Sequence, residues 1–277
     1  MGRLAALEAT EITTKVSGAL GRPDLASRLE HTRDRLSDPA FTMLVVGEFK
    51  QGKSSLINAL LAIDVCPVDD DVATAVPTII RHAEQWSAQV LVEPEGGGAP
   101  VHEPIPFDQV RQFVTDLQES DHARHVHSVE IGVPSALLAA GLVIVDTPGV
   151  GGLGSAHSAI TLAALPMADA VLFVSDASQE YSGPELDFLQ TARRLCPHVF
   201  GVLTKCDFYP SWRKIQSLDA GHLADIEIDM LVLPVSSELR RLAIANQDTT
   251  LNTESGYPAL ETHLRDAIVA RSEQLIL

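Results

Sequence analysis

The sequence predicts an α/β fold with a mainly parallel central sheet flanked by helices, and three observations carry that expectation. From Phe41 onward, short runs rich in β-branched and aliphatic residues alternate with amphipathic stretches of helical period, the pattern of strands joined by crossover helices. A glycine-rich loop separates the first such run from the first such helix. The 277 residues, 45% hydrophobic and 21% charged, can bury a core and exclude a disordered or fibrous chain.

Residues 1–40 read as helical, with Leu25, Leu29 and Leu36 on one face of a charged segment that Pro23 can open and Pro39 ends. Strands are then expected at 42–46, 78–81, 88–92, 128–133, 142–146, 170–175, 199–204 and 230–235, with helices at 53–61, 107–117, 184–195 and 211–223. The run from Glu95 to Pro100 reads as a hairpin-like loop. Pro258 opens a last helix whose Leu260, Leu264, Ile268 and Leu275 form an apolar stripe suited to packing on the 1–40 helix.

Lys and Arg total 20 against 37 Asp and Glu, a net charge of −17. Unguided binding to nucleic acid or anionic lipid is disfavoured, so no nucleic-acid partner is expected and any polyanion must be held by a local site. Three scattered cysteines, Cys66, Cys196 and Cys206, suggest neither disulfides nor a thiolate metal site, and point to a reducing, cytoplasmic setting. The apolar run 136–145 is far short of the roughly 20 residues of a membrane-spanning helix, and no apolar signal core opens the chain.

After the first strand comes Gly47-Glu48-Phe49-Lys50-Gln51-Gly52-Lys53-Ser54, which fits GxxxxGK[ST] directly before a helical pattern. In such a phosphate-binding loop the backbone amides of Gly47 through Lys53 curl around a β-phosphate, Lys53 reaches the β- and γ-phosphates, and the Ser54 hydroxyl ligates Mg²⁺. Ser55 is grouped with the same nucleotide-binding set. A second element, Asp146-Thr147-Pro148-Gly149, ends an apolar strand; there the carboxylate can hold Mg²⁺ through water while the Gly149 amide meets the γ-phosphate. The third, Thr204-Lys205-Cys206-Asp207, offers a carboxylate for the N1 and N2 hydrogens of guanine and a lysine stem for the purine face. Ser236 and Ser237 either present amides to the guanine carbonyl or simply cap a helix. Between the first helix and the next strand, Thr74 is the residue expected to close over Mg²⁺ and the γ-phosphate, with Thr78 as the alternative. The cluster Asp121, His122, His125 and His127 reads as a solvated loop rather than a zinc site, because its spacing fits no standard ligand pair.

The joined stretch from Val45 to Asn58, with Thr74-Ala75-Val76-Pro77 and Thr204-Lys205-Cys206-Asp207, resembles the bacterial dynamin-like GTPases, and the likeness runs from about residue 25 to the end. The longer phrases Asp146 to Gly154, Ser175 to Tyr181 and Tyr209 to Arg213 are similar to one mycobacterial member in particular. The resemblance implies a dynamin-type GTPase domain at 41–246, neck helices at 1–40 and 247–277, and GTP as substrate with GDP as product. It further implies pairing of GTPase domains across their nucleotide faces, and membrane contact through family regions beyond this chain, peripheral to the inner face of the plasma membrane. Only residues 238–277 follow Ser237, too few for the family's long bundle and lipid-binding tip.

One departure bears on catalysis. The position where eukaryotic dynamins carry a water-orienting Gln holds Phe49, and the position where small GTPases carry theirs holds Val150. The expected catalytic set is therefore Lys53, Thr74, Gly149 and Lys50, with Lys50 supplying charge to the transition state and the Thr74 backbone or a bridging water orienting the nucleophile. Basal turnover is expected near 10⁻⁴ to 10⁻² per second, roughly the range of GTPases whose site is incomplete. The competing expectation is a nucleotide-gated interaction module with negligible turnover.

Overall fold

The computed structural model describes residues 3–19, 40–68, 76–94, 100–115, 126–148, 161–196 and 198–276. Its helices are α1 (Arg3–Ala19), α2 (Lys53–Leu61), α3 (Val110–Thr115), α4 (Ala136–Ala139), α5 (Gly183–Leu195), α6 (Trp212–Asp225), α7 (Ser237–Asn246), α8 (Thr249–Glu254) and α9 (Tyr257–Ile276). The strands are β1 (Phe41–Val46), β2 (Thr78–His82), β3 (Ser87–Val92), β4 (Val101–Pro104), β5 (Val126–Val133), β6 (Leu142–Asp146), β7 (Ala170–Asp176), β8 (His198–Thr204) and β9 (Val232–Pro234).

The strands form one sheet in the order β4-β3-β5-β2-β6-β1-β7-β8-β9. From β6 to β9 every pairing is parallel. Beyond β6 the sheet turns mixed: β2 runs antiparallel to β6 but parallel to β5, and β3 is antiparallel to both β5 and β4. Because β1 lies between β6 and β7, the carboxyl ends of β1, β6, β7 and β8 share one edge, where open α/β sheets bind ligands.

Alternation along the strands explains the two-sided core. Phe41, Met43 and Val45 of β1 join one buried cluster with Leu56, Ile57 and Leu60 of α2, while Leu44 and Val46 join another with Phe188, Leu189 and Ala192 of α5. All seven residues of β7 are buried, as expected of a parallel strand covered on both faces.

Several elements depart from the sequence reading. Edge strand β4, with the sequence Val-His-Glu-Pro, has no buried residue and no apolar alternation to announce it, and it closes the expected hairpin by pairing with β3. The 107–117 helix divides into a 3-10 turn at Phe107–Gln109 and the short α3. Helix α7 follows the Ser236 cap, one of the two readings offered for Ser236 and Ser237, and α8 lies in a stretch for which no element was expected. Tyr257, Leu260 and Leu264 of the last helix are fully buried in the main core cluster, Ile268 joins them, and His263 meets the Phe200 ring edge-on at 4.8 Å; residues 20–39 of the helical segment expected to pack on this stripe lie outside the described residues. The Leu275 side chain, like Leu25, Leu29 and Leu36, lies outside the described residues. Among the described side chains of α1, Thr10 and Ser17 are buried, while Ile12 and Val16 face outward. Among the described residues no helix is long and apolar enough to cross a membrane.

Candidate functional site

The phosphate-binding loop is held in shape by what surrounds it. A side chain at Gly47 would collide with the Val174 carbonyl of β7, so only glycine lets the loop leave β1 this close to its neighbour. Gly52 caps α2 with φ 87°, again a glycine conformation, and Lys50 sits at φ 66°. Lys53 is buried, and its ammonium donates to the carbonyls of Gly47 at 2.9 Å and Glu48 at 2.7 Å. Burial lowers its pKa, opposed by the nearby Asp146 and Glu48 carboxyls.

Ser54 Oγ donates to Asp146 Oδ2 at 3.1 Å, joining the two proposed metal-holding side chains across 92 positions of sequence. Asp146 is buried at the end of β6, and burial pushes its carboxyl up to about 6 against the pull of Lys53 and Ser54. Its other oxygen, Oδ1, has no hydrogen-bond partner among the described residues, nor has Thr78 Oγ1, whose residue faces Asp146 across the β2–β6 pair. A buried unpartnered carboxylate oxygen beside a serine hydroxyl is a hard-oxygen donor set that fits Mg²⁺. Thr147 Oγ1 donates to Val45 O at 2.8 Å, fixing where the chain leaves β6. Thr74 and Gly149 lie outside the described residues.

The segment Thr204–Asp207 is tied to the same loop. Thr204 Oγ1 donates to the carbonyls of Gln51 at 2.7 Å and Ser175 at 3.1 Å. Lys205 Nζ donates to Lys50 O at 2.7 Å and to Asp176 Oδ2 at 2.6 Å. Burial works against the Asp176 charge, yet Lys205 and Ser178 hold its carboxyl below the ordinary range. Asp176 was missed by sequence reasoning; its only signal was a carboxylate at the carboxyl end of an apolar strand. Asp207 is exposed at a cavity of about 620 Å³ lined by the polar Ser55, Lys205 and Ser237 and by the apolar Ala59, Ile63 and Val68 among others. Ser236 caps α7 by accepting from Leu239 N at 3.0 Å, its own N–H donates to Ser255 O at 2.9 Å, and the Ser237 hydroxyl shares a 2.8 Å hydrogen bond with Tyr257, so of the two amides expected to meet a base the Ser236 amide is already engaged within the protein.

At the outer rim Phe49 is 40% exposed, and the exposed Lys50 ammonium lies 5.5 Å from the centre of its ring. Beyond Asp207, Phe208 is 73% exposed. His127 pairs with Glu93 at 3.3 Å; Asp121, His122 and His125 lie outside the described residues, and no metal-holding His, Cys, Asp and Glu group occurs among the described ones.

The dynamin family model matches residues 43–206, from β1 to Cys206 just beyond β8. The chain belongs to the dynamin family. Across 98% of its length this dynamin-family chain is 40% identical, over 272 residues, to isoniazid-induced protein IniA of Mycobacterium tuberculosis, of which it spans 42%. It is 25% identical over 182 residues to dynamin-like protein A of Bacillus subtilis, covering 66% of this chain and 15% of that one. In structure it is similar to a member of an oligomerised bacterial dynamin pair, with a TM-score of 0.66 and 18% identity over 91% of this chain and 39% of that chain, a likeness of fold. The sheet and helices above are thus a dynamin-type GTPase domain, and this chain spans about two fifths of the length of IniA.

Proposed function

We propose that this protein binds GTP and hydrolyses it in a Mg²⁺-dependent reaction, with GTPase domains pairing across their nucleotide faces and, in a longer chain like those of its relatives, driving membrane remodelling. The observation that carries the reading is the convergence of Lys53, the Ser54–Asp146 pair and the Lys205–Asp207 segment on one sheet edge. In this account Lys53 keeps the Gly47 carbonyl and turns from the Glu48 carbonyl to β- and γ-phosphate oxygens, and the P-loop amides from Gly47 onward cradle the β-phosphate. Ser54, Asp146 and Thr74 hold Mg²⁺, which when bound neutralises charge on the phosphate oxygens. Asp207 accepts from the guanine edge, the Lys205 stem covers the purine face, and the Ser237 backbone amide meets the guanine carbonyl. The Gly149 amide senses the γ-phosphate, and Lys50 offsets charge in the transition state.

We assign residues 41–246 to the GTPase domain, with 1–40 and 247–277 as neck. Pairing is supported by the name of the similar structure, an oligomerised bacterial dynamin pair described as sensing and tethering membranes. Competition of GTP, GDP and ATP for the chain, followed by sizing with GDP and with a transition-state mimic, tests this. Guanine preference and a dimer with the mimic are expected; equal binding of ATP overturns the specificity, and a monomer with the mimic overturns the pairing. Phe49 and Val150 in place of a water-orienting Gln favour the second reading, a nucleotide-gated interaction module without useful turnover.

A further inference from the structure

One peptide group of the P-loop is gripped from both sides. The Gly47–Glu48 peptide offers its N–H to Gln51 Oε1 at 2.8 Å, and its carbonyl accepts from Lys53 Nζ at 2.9 Å. In a planar trans peptide N–H and C=O point in opposite directions, so fixing the N–H on one side aims the carbonyl at the other. Gln51 is itself held: it is buried, and Nε2 donates to Glu185 Oε1 at 3.0 Å, a contact spanning 134 positions. Glu185, also buried, sits in the first turn of α5, where Oε2 accepts from both Ser182 N and Ser182 Oγ at 2.8 Å. Every polar atom along this line is satisfied, from the α5 capping box to the Lys53 ammonium.

We propose that Gln51 and Glu185 form a positioning clasp that aims the Lys53 ammonium at the phosphates. Gln51 occupies a position that the GxxxxGK[ST] pattern leaves open, and Glu185 lies on a helix that lends no side chain to the cavity beside Asp207. The clasp makes the β-phosphate end of the site depend on how α5 is seated. It predicts a selective defect: without it Lys53 loses its fixed perch, so ligands with a β-phosphate weaken while those with only an α-phosphate do not.

The inference rests on the nucleotide-binding reading above, and the experiment separates the two. GDP and GMP affinities are measured by competition for the wild-type chain and for Gln51→Leu, which keeps comparable volume and removes both hydrogen bonds, with Thr191→Ala as a control elsewhere on α5 that spares Ser182, Glu185 and Gln51. The expected result is a loss of GDP affinity of roughly five- to tenfold in Gln51→Leu with GMP unchanged, the scale of one well-placed hydrogen bond. Thr191→Ala should keep the wild-type GDP-to-GMP ratio. Should Gln51→Leu not fold, Glu185→Gln, which retains Gln51, should shift the ratio in the same direction. An unchanged ratio in the folded variant, or equal losses for GDP and GMP, overturns the clasp alone. A wild-type chain that binds no GDP overturns both readings.

Discussion

The two ends of the nucleotide site are built differently. At the phosphate end Lys53, Gln51, Asp146 and Thr204 are buried and their hydrogen bonds run inward, so the loop geometry exists before any ligand arrives. At the base end and outer rim Asp207, Phe208, Lys50 and Phe49 are exposed. In the proposed account the difference makes phosphate affinity a preorganised property of the fold, whereas base selection and rate enhancement fall to groups ordered by the nucleotide or by a second molecule.

The largest expected effect lies at the built end. Lys53→Ala should weaken GDP and GTP binding by roughly a hundredfold or more, read by calorimetry, because a charge-assisted contact to phosphate is removed from a buried setting. Near-normal affinity in that variant would break the comparison. Next, Asp207→Asn should shift preference from guanine to xanthine nucleotide with thermal stability unchanged, as befits an exposed side chain; retained GTP preference would remove that assignment. Lys50→Ala should lower the GTPase rate by roughly tenfold or more while GTP affinity holds, since its proposed role appears only as charge develops. A fall in affinity without a fall in rate would move Lys50 to the binding end.

A smaller effect sharpens the comparison from beneath the loop. Asp219 on α6 is fully buried, accepts from Tyr181 N at 2.8 Å, and has no partner for Oδ2 among the described residues. Burial pushes its carboxyl up to about 6, so the folded state favours the protonated form. That contribution to stability is full below the ordinary carboxylate range and is lost as pH rises through about 6. The wild-type melting temperature should therefore fall between pH 5 and pH 7.5, and Asp219→Asn should make that slope shallower; an unaltered slope would show that Asp219 does not carry it.

Much of this was legible in the sequence because strand ends carry the chemistry. The P-loop, Asp146 and the Thr204–Asp207 segment each follow an apolar run, and every expected strand from 42–46 to 230–235 has a counterpart in the sheet, most with bounds shifted by a residue or two. What was not legible depends on distance or on weak local signals. Gln51 fills an unconstrained motif position, and only the fold brings Glu185 to it. Asp176 gains its meaning from Lys205, 29 residues away. Strand β4 is exposed along its length, and α7 is a short helix whose one strong signal, the Ser236 cap, was equally consistent with contact to a base. The α9 stripe was recognised as apolar, but its destination in the core could not be read from periodicity alone.

Phosphate release from GTP, measured across a range of protein concentrations, tests the central claim most directly. If exposed rim groups are completed by a second GTPase domain, the rate per molecule rises with concentration from a slow basal value of about 10⁻⁴ to 10⁻² per second. A flat, negligible rate at every concentration would contradict the account and leave a nucleotide-gated interaction module in its place.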